Sequence, residues 1–142
     1  STPAACEMPK GAGYEAVEAL LLPDGEDRLK KELIRLADRR QVNVIFTTGG
    51  TGFSQRDVTP EATEAVCDRM AMGIADAIRI HSLTITDRAM LSRAVSGIRK
   101  KTLIVNLPGS PKAVREGLEY ILPSLGHGLG ILRGTEGECG GA

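Results

Sequence analysis

Three glycines crowd into Thr47-Thr48-Gly49-Gly50-Thr51-Gly52, directly after the β-branched run that begins at Val42. Without a Cβ, glycine reaches positive φ and lets successive backbone N–H groups turn toward one anion, so this spacing suits a phosphate. Two carboxylates stand at comparable places, Asp57 in Arg56-Asp57-Val58-Thr59-Pro60 and Asp24 in Leu22-Pro23-Asp24. A second turn, Pro108-Gly109-Ser110-Pro111, closes another apolar run, and Lys112 follows it. Attack on an α-phosphorus builds charge on the non-bridging oxygens, which unhindered amides, a helix N-terminus and a divalent cation stabilise. Magnesium takes one or two carboxylates besides phosphate oxygens and water, so Asp57, with or without Asp24, suffices and no strong base is required. The chemistry these groups suit is nucleotidyl transfer. The loop lacks the Gly-Lys-Ser/Thr of a Walker motif and is not Gly-x-Gly-x-x-Gly.

Each of these residues also has a plainer role. Glycine after a strand makes ordinary turns, Asp57 can close an Asx-turn, and Asp24 after Pro23 can be a turn residue. Ser110 before Pro111 is a good helix N-cap, worth ~0.5–2 kcal/mol, and that role is compatible with phosphate at the same helix end. Arg93 and Lys112 read equally well as surface charges.

The elements that must position these groups alternate between helix and strand. Ser1-Thr2-Pro3 opens a helix that fades by Lys10-Gly11, and Tyr14 to Leu22 reads as a buried strand ending at Asp24. Leu29, Leu33, Leu36 and Ala37 form one apolar stripe on a helix from Glu26 to Arg40, which leads into the strand Val42 to Thr48. Thr59 caps a helix with Pro60 at its first position and Glu61 near its positive end, running to about Met72. Gly73 to Ile80 follows as helix, Ser82 to Met90 carries mixed signals, and Ala94 to Arg99 is short and strand-like before a turn at Lys100-Lys101. Thr102 to Leu107 is a strand, Pro111 to Leu122 a helix, and Pro123 to Leu132 a last helix weakened by glycines. This alternation predicts an α/β fold in three layers, a doubly wound, mostly parallel sheet with helices on both faces, whose ligands lie beyond the carboxyl ends of the strands. Residues 1–133 form the predicted domain and 134–142 a disordered tail.

Composition narrows the partners. A length of 142 residues fits one domain. Lys plus Arg and Asp plus Glu number 18 each, so no long-range field draws a nucleic-acid backbone or an anionic membrane. No apolar run reaches a membrane span and no leader opens the chain, which predicts a cytoplasmic protein. Cys6, Cys67 and Cys139 have neither disulfide nor zinc spacing; Cys67 reads as a small hydrophobe among Ala62, Val66 and Met70, and His81 and His127 read as structural or surface residues.

The strings Thr47 to Gly52, Arg56-Asp57-Val58-Thr59-Pro60-Glu61-Ala62-Thr63 and Asn106 to Pro111 together closely resemble the molybdopterin adenylyltransferase family, which includes the G domain of gephyrin, over most of the chain from Pro3 to about Arg133. The resemblance implies ATP- and magnesium-dependent adenylylation of molybdopterin, with pyrophosphate released ahead of molybdenum insertion. It implies a homotrimer and allows for a molybdenum-insertion partner protein. It makes Asp57 and Asp24 the catalytic aspartates, with Asp57 on the metal. Thr48, Gly49, Gly50, Thr51, Gly52, Pro108, Gly109, Ser110 and Lys112 become the substrate and nucleotide contacts. The alternative is a molybdopterin-binding or scaffold module of the same fold without turnover. A related dinucleotide pyrophosphatase fits the Arg-Asp-Val-Thr-Pro string less well.

Members of that family begin with a further apolar strand and a Ser-Asp loop, upstream of the helix that here starts at Ser1. That strand is central in the family. Its absence from this sequence predicts a slot in the sheet and reads the chain as a fragment, or as one whose slot something else fills.

Overall fold

The computed structural model describes residues 14–23 and 25–134. The predicted first helix, Cys6, Asp24, Cys139 and the tail from 135 lie outside those residues. Four strands, β1 (Val44–Thr48), β2 (Arg69–Met70), β3 (Ser96–Arg99) and β4 (Thr102–Leu107), form one sheet in the order β1-β4-β3-β2. β1 and β4 are parallel, with Val44 opposite Leu103 and Thr48 opposite Leu107. β3 meets both β4 and β2 antiparallel. The described sheet is therefore mixed, because β3 and β4 are joined by the tight turn at Lys100-Lys101, where Lys100 takes φ 53, and only an antiparallel pair can be closed so briefly.

Every residue of β4 is buried, which makes it the central strand. Leu103, Val105 and Leu107 face one side, where they pack against Ile78 of α3 (Met72–Leu83) and Val114, Leu118, Ile121 and Leu122 of α4 (Pro111–Arg133). Ile104 faces the other, against Leu33 of α1 (Glu26–Ile34) and Val66 of α2 (Thr59–Val66). The period-two alternation of one strand thus builds both apolar layers, giving the three-layer α/β sandwich. The stripe of α1 is as the 3.6-residue period requires: Leu33 and, in the π-helical turn Arg35–Arg39 that prolongs it, Ala37 are buried, with Leu29 and Leu36 beside them.

Four sequence expectations are corrected. Tyr14 to Leu22 forms no strand: the segment has no ladder partner among the described residues and Leu21 is 81% exposed, since an apolar run alone cannot hold a strand whose N–H and C=O groups have no neighbour. Thr59 does not cap α2. The N-cap is Val58, and Thr59 is buried as the first helical residue. α2 ends at Val66 rather than near Met72, because Cys67 turns extended and the Asp68 N–H donates to Ile98 O, starting the pairing of β2. Cys67 sits just past the helix, half-buried beside Val66, where burial pushes its thiol up to about 11. The two C-terminal helices are one, because Pro123 lies on the exposed face of α4, where the carbonyl it leaves unpaired can turn to water. Gly134, at φ 78, ends it.

Candidate functional site

Parallel pairing sends the loops that follow β1 and β4 to the same sheet edge. Thr48 stands opposite Leu107, and the next residue, Gly49, donates its N–H to Leu107 O at 3.1 Å. Gly109 packs so closely that a Cβ there would lie 3.5 Å from Gly49 Cα. The predicted glycine loop and the Pro108 to Ser110 turn are thereby brought into contact. Gly49 and Gly50 both hold left-handed backbone, φ 82 and 72. A Cβ on Gly50 would overlap the Thr59 hydroxyl, and one on Gly52 would lie 2.8 Å from Asp57 Oδ2.

Asp57 supplies one wall of this loop. Its Oδ2 accepts the Ser54 N–H at 3.0 Å while its own N–H donates to Ser54 O, so the turn role holds. Oδ1 has no hydrogen-bond partner among the described residues, on a half-buried residue beside the loop. One free carboxylate oxygen next to phosphate-sized amides fits a magnesium whose other ligands are phosphate oxygens and water, the usual sparse protein contribution for that ion. No group of three or more His, Cys, Asp or Glu among the described residues could hold a metal by itself. Ser110 caps α4, accepting the Ala113 N–H at 3.2 Å, as expected. Lys112 stands out on the first turn, its side chain 82% exposed and 3.8 Å from Glu116. It is on the same helix end but not drawn onto the loop.

Two residues central to the geometry were given no role in the site from the sequence. Asn106 is fully buried: its Oδ1 accepts the Val95 N–H at 3.1 Å, and its Nδ2 donates to Thr47 Oγ1 at 3.0 Å and Thr63 Oγ1 at 2.9 Å. It ties β4 to β1, α2 and the approach to β3 immediately below the loops, with its polar atoms satisfied. Arg93 reaches across from the other side. Its Nε donates to Gly52 O at 2.7 Å, Nη2 to Asp57 O at 2.6 Å and Nη1 to Glu61 Oε2 at 2.6 Å, while its backbone N–H meets Thr51 O at 2.8 Å. The guanidinium holds the Glu61 carboxyl below its ordinary range. No spacing in the sequence links residue 93 to residues 51–61; only the fold does.

A groove of about 470 Å³ runs from this loop along the outer edge of β1. Gly49, Gly50, Arg56 and Thr59 line it, and so do segment 14–23, Val44 and Phe46. Pro23 and Gly25, on either side of Asp24, line it too. The Tyr14 hydroxyl is buried with no partner among the described residues, and burial raises its pKa. The groove therefore joins a polar, glycine-rich end to an apolar slot beside an edge strand.

Comparison with known proteins meets this geometry from outside. The family described as "Probable molybdopterin binding domain" matches residues 1–127. The chain is 44% identical over 115 residues to a molybdopterin adenylyltransferase of Helicobacter pylori, covering 81% of this chain and 65% of that protein. It is 45% identical over 112 residues to gephyrin of Dictyostelium discoideum, covering 79% of this chain and 16% of that protein. Among solved structures, the molybdopterin biosynthesis enzyme MoaB of Thermus thermophilus superposes with a TM-score of 0.82 at 46% identity, over 88% of this chain and 79% of that one. The Mog protein of Mycobacterium ulcerans gives 0.83 at 40%, over 92% and 85%. The chain thus spans just under two thirds, or less, of the length of the curated relatives it matches.

Proposed function

The chain belongs to the molybdopterin-binding domain family, and from that premise we propose that residues 1–133 transfer the adenylyl group of ATP to the terminal phosphate of molybdopterin, releasing pyrophosphate. One observation carries the reading: the glycine loop, the Pro108 to Ser110 turn and the Asp57 carboxylate meet at the carboxyl ends of the two parallel strands. The Thr51, Gly52 and Phe53 amides, which have no partner among the described residues, would hold the phosphates of ATP. The N-terminus of α4, capped by Ser110, presents its dipole to the second phosphate group. Asp57 Oδ1, joined by Asp24, would hold magnesium, which when bound offsets charge on the phosphate oxygens. The hydrogen bond from the Gly49 N–H to Leu107 O holds the two loops together, so stabilisation needs little rearrangement as charge develops.

The reading extends to a cytoplasmic homotrimer. No helix among the described residues is long and apolar enough to cross a membrane. Exposed Leu83, Ile85, Met90 and Leu91, along the end of α3 and the turn after it, supply apolar surface of the kind an oligomer buries. Sedimentation of the purified chain tests this. Incubation with molybdopterin, α-labelled ATP and magnesium tests the reaction: label in adenylyl-molybdopterin is the expected result, and its absence removes the enzymatic reading. Retention of molybdopterin without transfer would instead support a binding or scaffold module, a reading favoured by the unladdered segment 14–23 on one wall of the groove.

A further inference from the structure

We propose that Arg93 is the positioning residue of the phosphate loop, its planar fork holding the Gly52 and Asp57 carbonyls and its backbone N–H that of Thr51, which aims the Gly52 and Phe53 amides to the other side. The inference rests on the nucleotide reading above for what the amides bind, but its geometry stands on hydrogen bonds within the protein itself. In a trans peptide the C=O of one residue and the N–H of the next point in opposite directions, so fixing one fixes the other. Thr51 O accepts the Arg93 backbone N–H at 2.8 Å, which turns the Gly52 N–H away from Arg93. Gly52 O accepts Arg93 Nε at 2.7 Å, which does the same for Phe53. Gly50 O accepts the Thr59 N–H at 3.1 Å and turns out the amide of Thr51. Those three successive amides have no partner among the described residues. Arg93 Nη2 takes Asp57 O at 2.6 Å, so the residue carrying the carboxylate is held by the same side chain.

The guanidinium is not left free to meet a phosphate itself. Glu61, in the first turn of α2, takes Nη1 at 2.6 Å and Nη2 at 3.3 Å, so the charge is matched by a carboxylate and the fork is braced from behind. What Arg93 contributes is therefore shape, which separates two kinds of replacement. Lysine keeps the charge but cannot reach three acceptors in one plane; methionine keeps only bulk.

The test measures ATP binding by calorimetry for the wild type, Arg93→Lys and Arg93→Met, and amide exchange by NMR for the same unliganded proteins. Hydrogen bonds to a charged donor are lost in both variants, so each is expected to weaken ATP by ~10–100-fold. Exchange is expected to rise at Ser54, Asp57 and Thr59, with the β1 and β4 amides unchanged. Arg93→Lys binding ATP within about twofold of the wild type would show that charge suffices, and the proposal falls. Unchanged exchange at Ser54, Asp57 and Thr59 overturns it also, whether or not ATP binds. If the wild type fails to bind ATP while loop exchange responds as stated, the nucleotide reading falls and the positioning role stands. Should Arg93→Met lose its fold, Glu61→Gln removes the brace and leaves the fork: faster exchange at Ser54 and Asp57 is expected, and none there counts against the proposal.

Discussion

In the glycine loop that meets one end of the groove, the carbonyls of Gly50, Thr51, Gly52, Ser54 and Asp57 each receive a backbone or guanidinium donor, whereas no backbone pair ties the groove-lining segment 14–23 to the sheet among the described residues. That segment is held by side chains. The Glu18 carboxylate takes Arg35 and Arg40, and Arg40 Nη2 reaches Val17 O at 3.2 Å. Exposed ion pairs are worth about 0–1 kcal/mol each, and directional bonds that satisfy buried backbone hold position far better. The loop wall is therefore the more firmly held of the two, the opposite wall should be the one that opens first, and the site proposed above is only as good as what closes the slot between them.

The largest effect should come from closing it. β1 is an edge strand in this structure, and every buried N–H or C=O left unpaired along it costs about 1–3 kcal/mol, which over several residues rivals the ~5–15 kcal/mol a domain has in total. The chain alone is expected to associate or aggregate. Fusing an upstream apolar strand and Ser-Asp loop should give a monodisperse oligomer with a sharper, higher melting transition and restored nucleotide binding. A chain that is already monodisperse, cooperative and active by itself would show that the slot needs no strand.

On the loop wall, Gly50→Ala should remove ATP binding almost entirely. Its Cβ would run into Thr59 Oγ1 from a residue at φ 72, costing about 1–3 kcal/mol in backbone strain and displacing the carbonyl that orients the Thr51 amide. Unchanged affinity in a folded variant would take the loop out of the site.

Asp57 separates turn from chemistry. Asparagine can still accept the Ser54 N–H, so Asp57→Asn should fold like the wild type and lose most adenylation, whereas Asp57→Ala should also lose about 1–2 kcal/mol of stability with its turn bond. Equal activity of Asp57→Asn and the wild type would leave the carboxylate as a turn residue only.

These contrasts also mark what can be read from residues in order. Strand β4 and the stripe of α1 are legible because period two and period 3.6 are local, and so is the glycine loop, whose φ values only glycine holds comfortably. Segment 14–22 carries an apolar pattern fit for a strand, yet a strand is a property of two segments and its partner is not among the described residues. A threonine before proline looks like a cap, while here the Thr59 hydroxyl fills the space behind Gly50. Pro123 looks like a break because exposure, which makes it tolerable, is decided by the whole helix. The roles of Arg93 and Asn106 are not legible for a stronger reason: their partners lie far along the chain, 43 residues away for Asn106 and Thr63, and 41 for Arg93 and Gly52.

The smallest expected effect concerns the weaker wall and is a matter of pH. Hydrogen bonding from Arg35, joined by the charges of Arg35 and Arg40, holds the Glu18 carboxyl below its ordinary 4.5. A depressed carboxyl stabilises the state in which it is ionised, so the tether is fully present above about pH 4.5 and is lost as pH falls through the lower, folded value. The Glu61 carboxyl, held down by Arg93, obeys the same sign, but its loop keeps backbone bonds when that pair weakens. Acidification should therefore move amide resonances of Ala16 to Leu22 before those of Gly49 to Gly52, with a midpoint below 4.5 that disappears in Glu18→Gln. Coincident midpoints for the two walls would mean that they open as one unit and that the contrast between them carries no difference in stability.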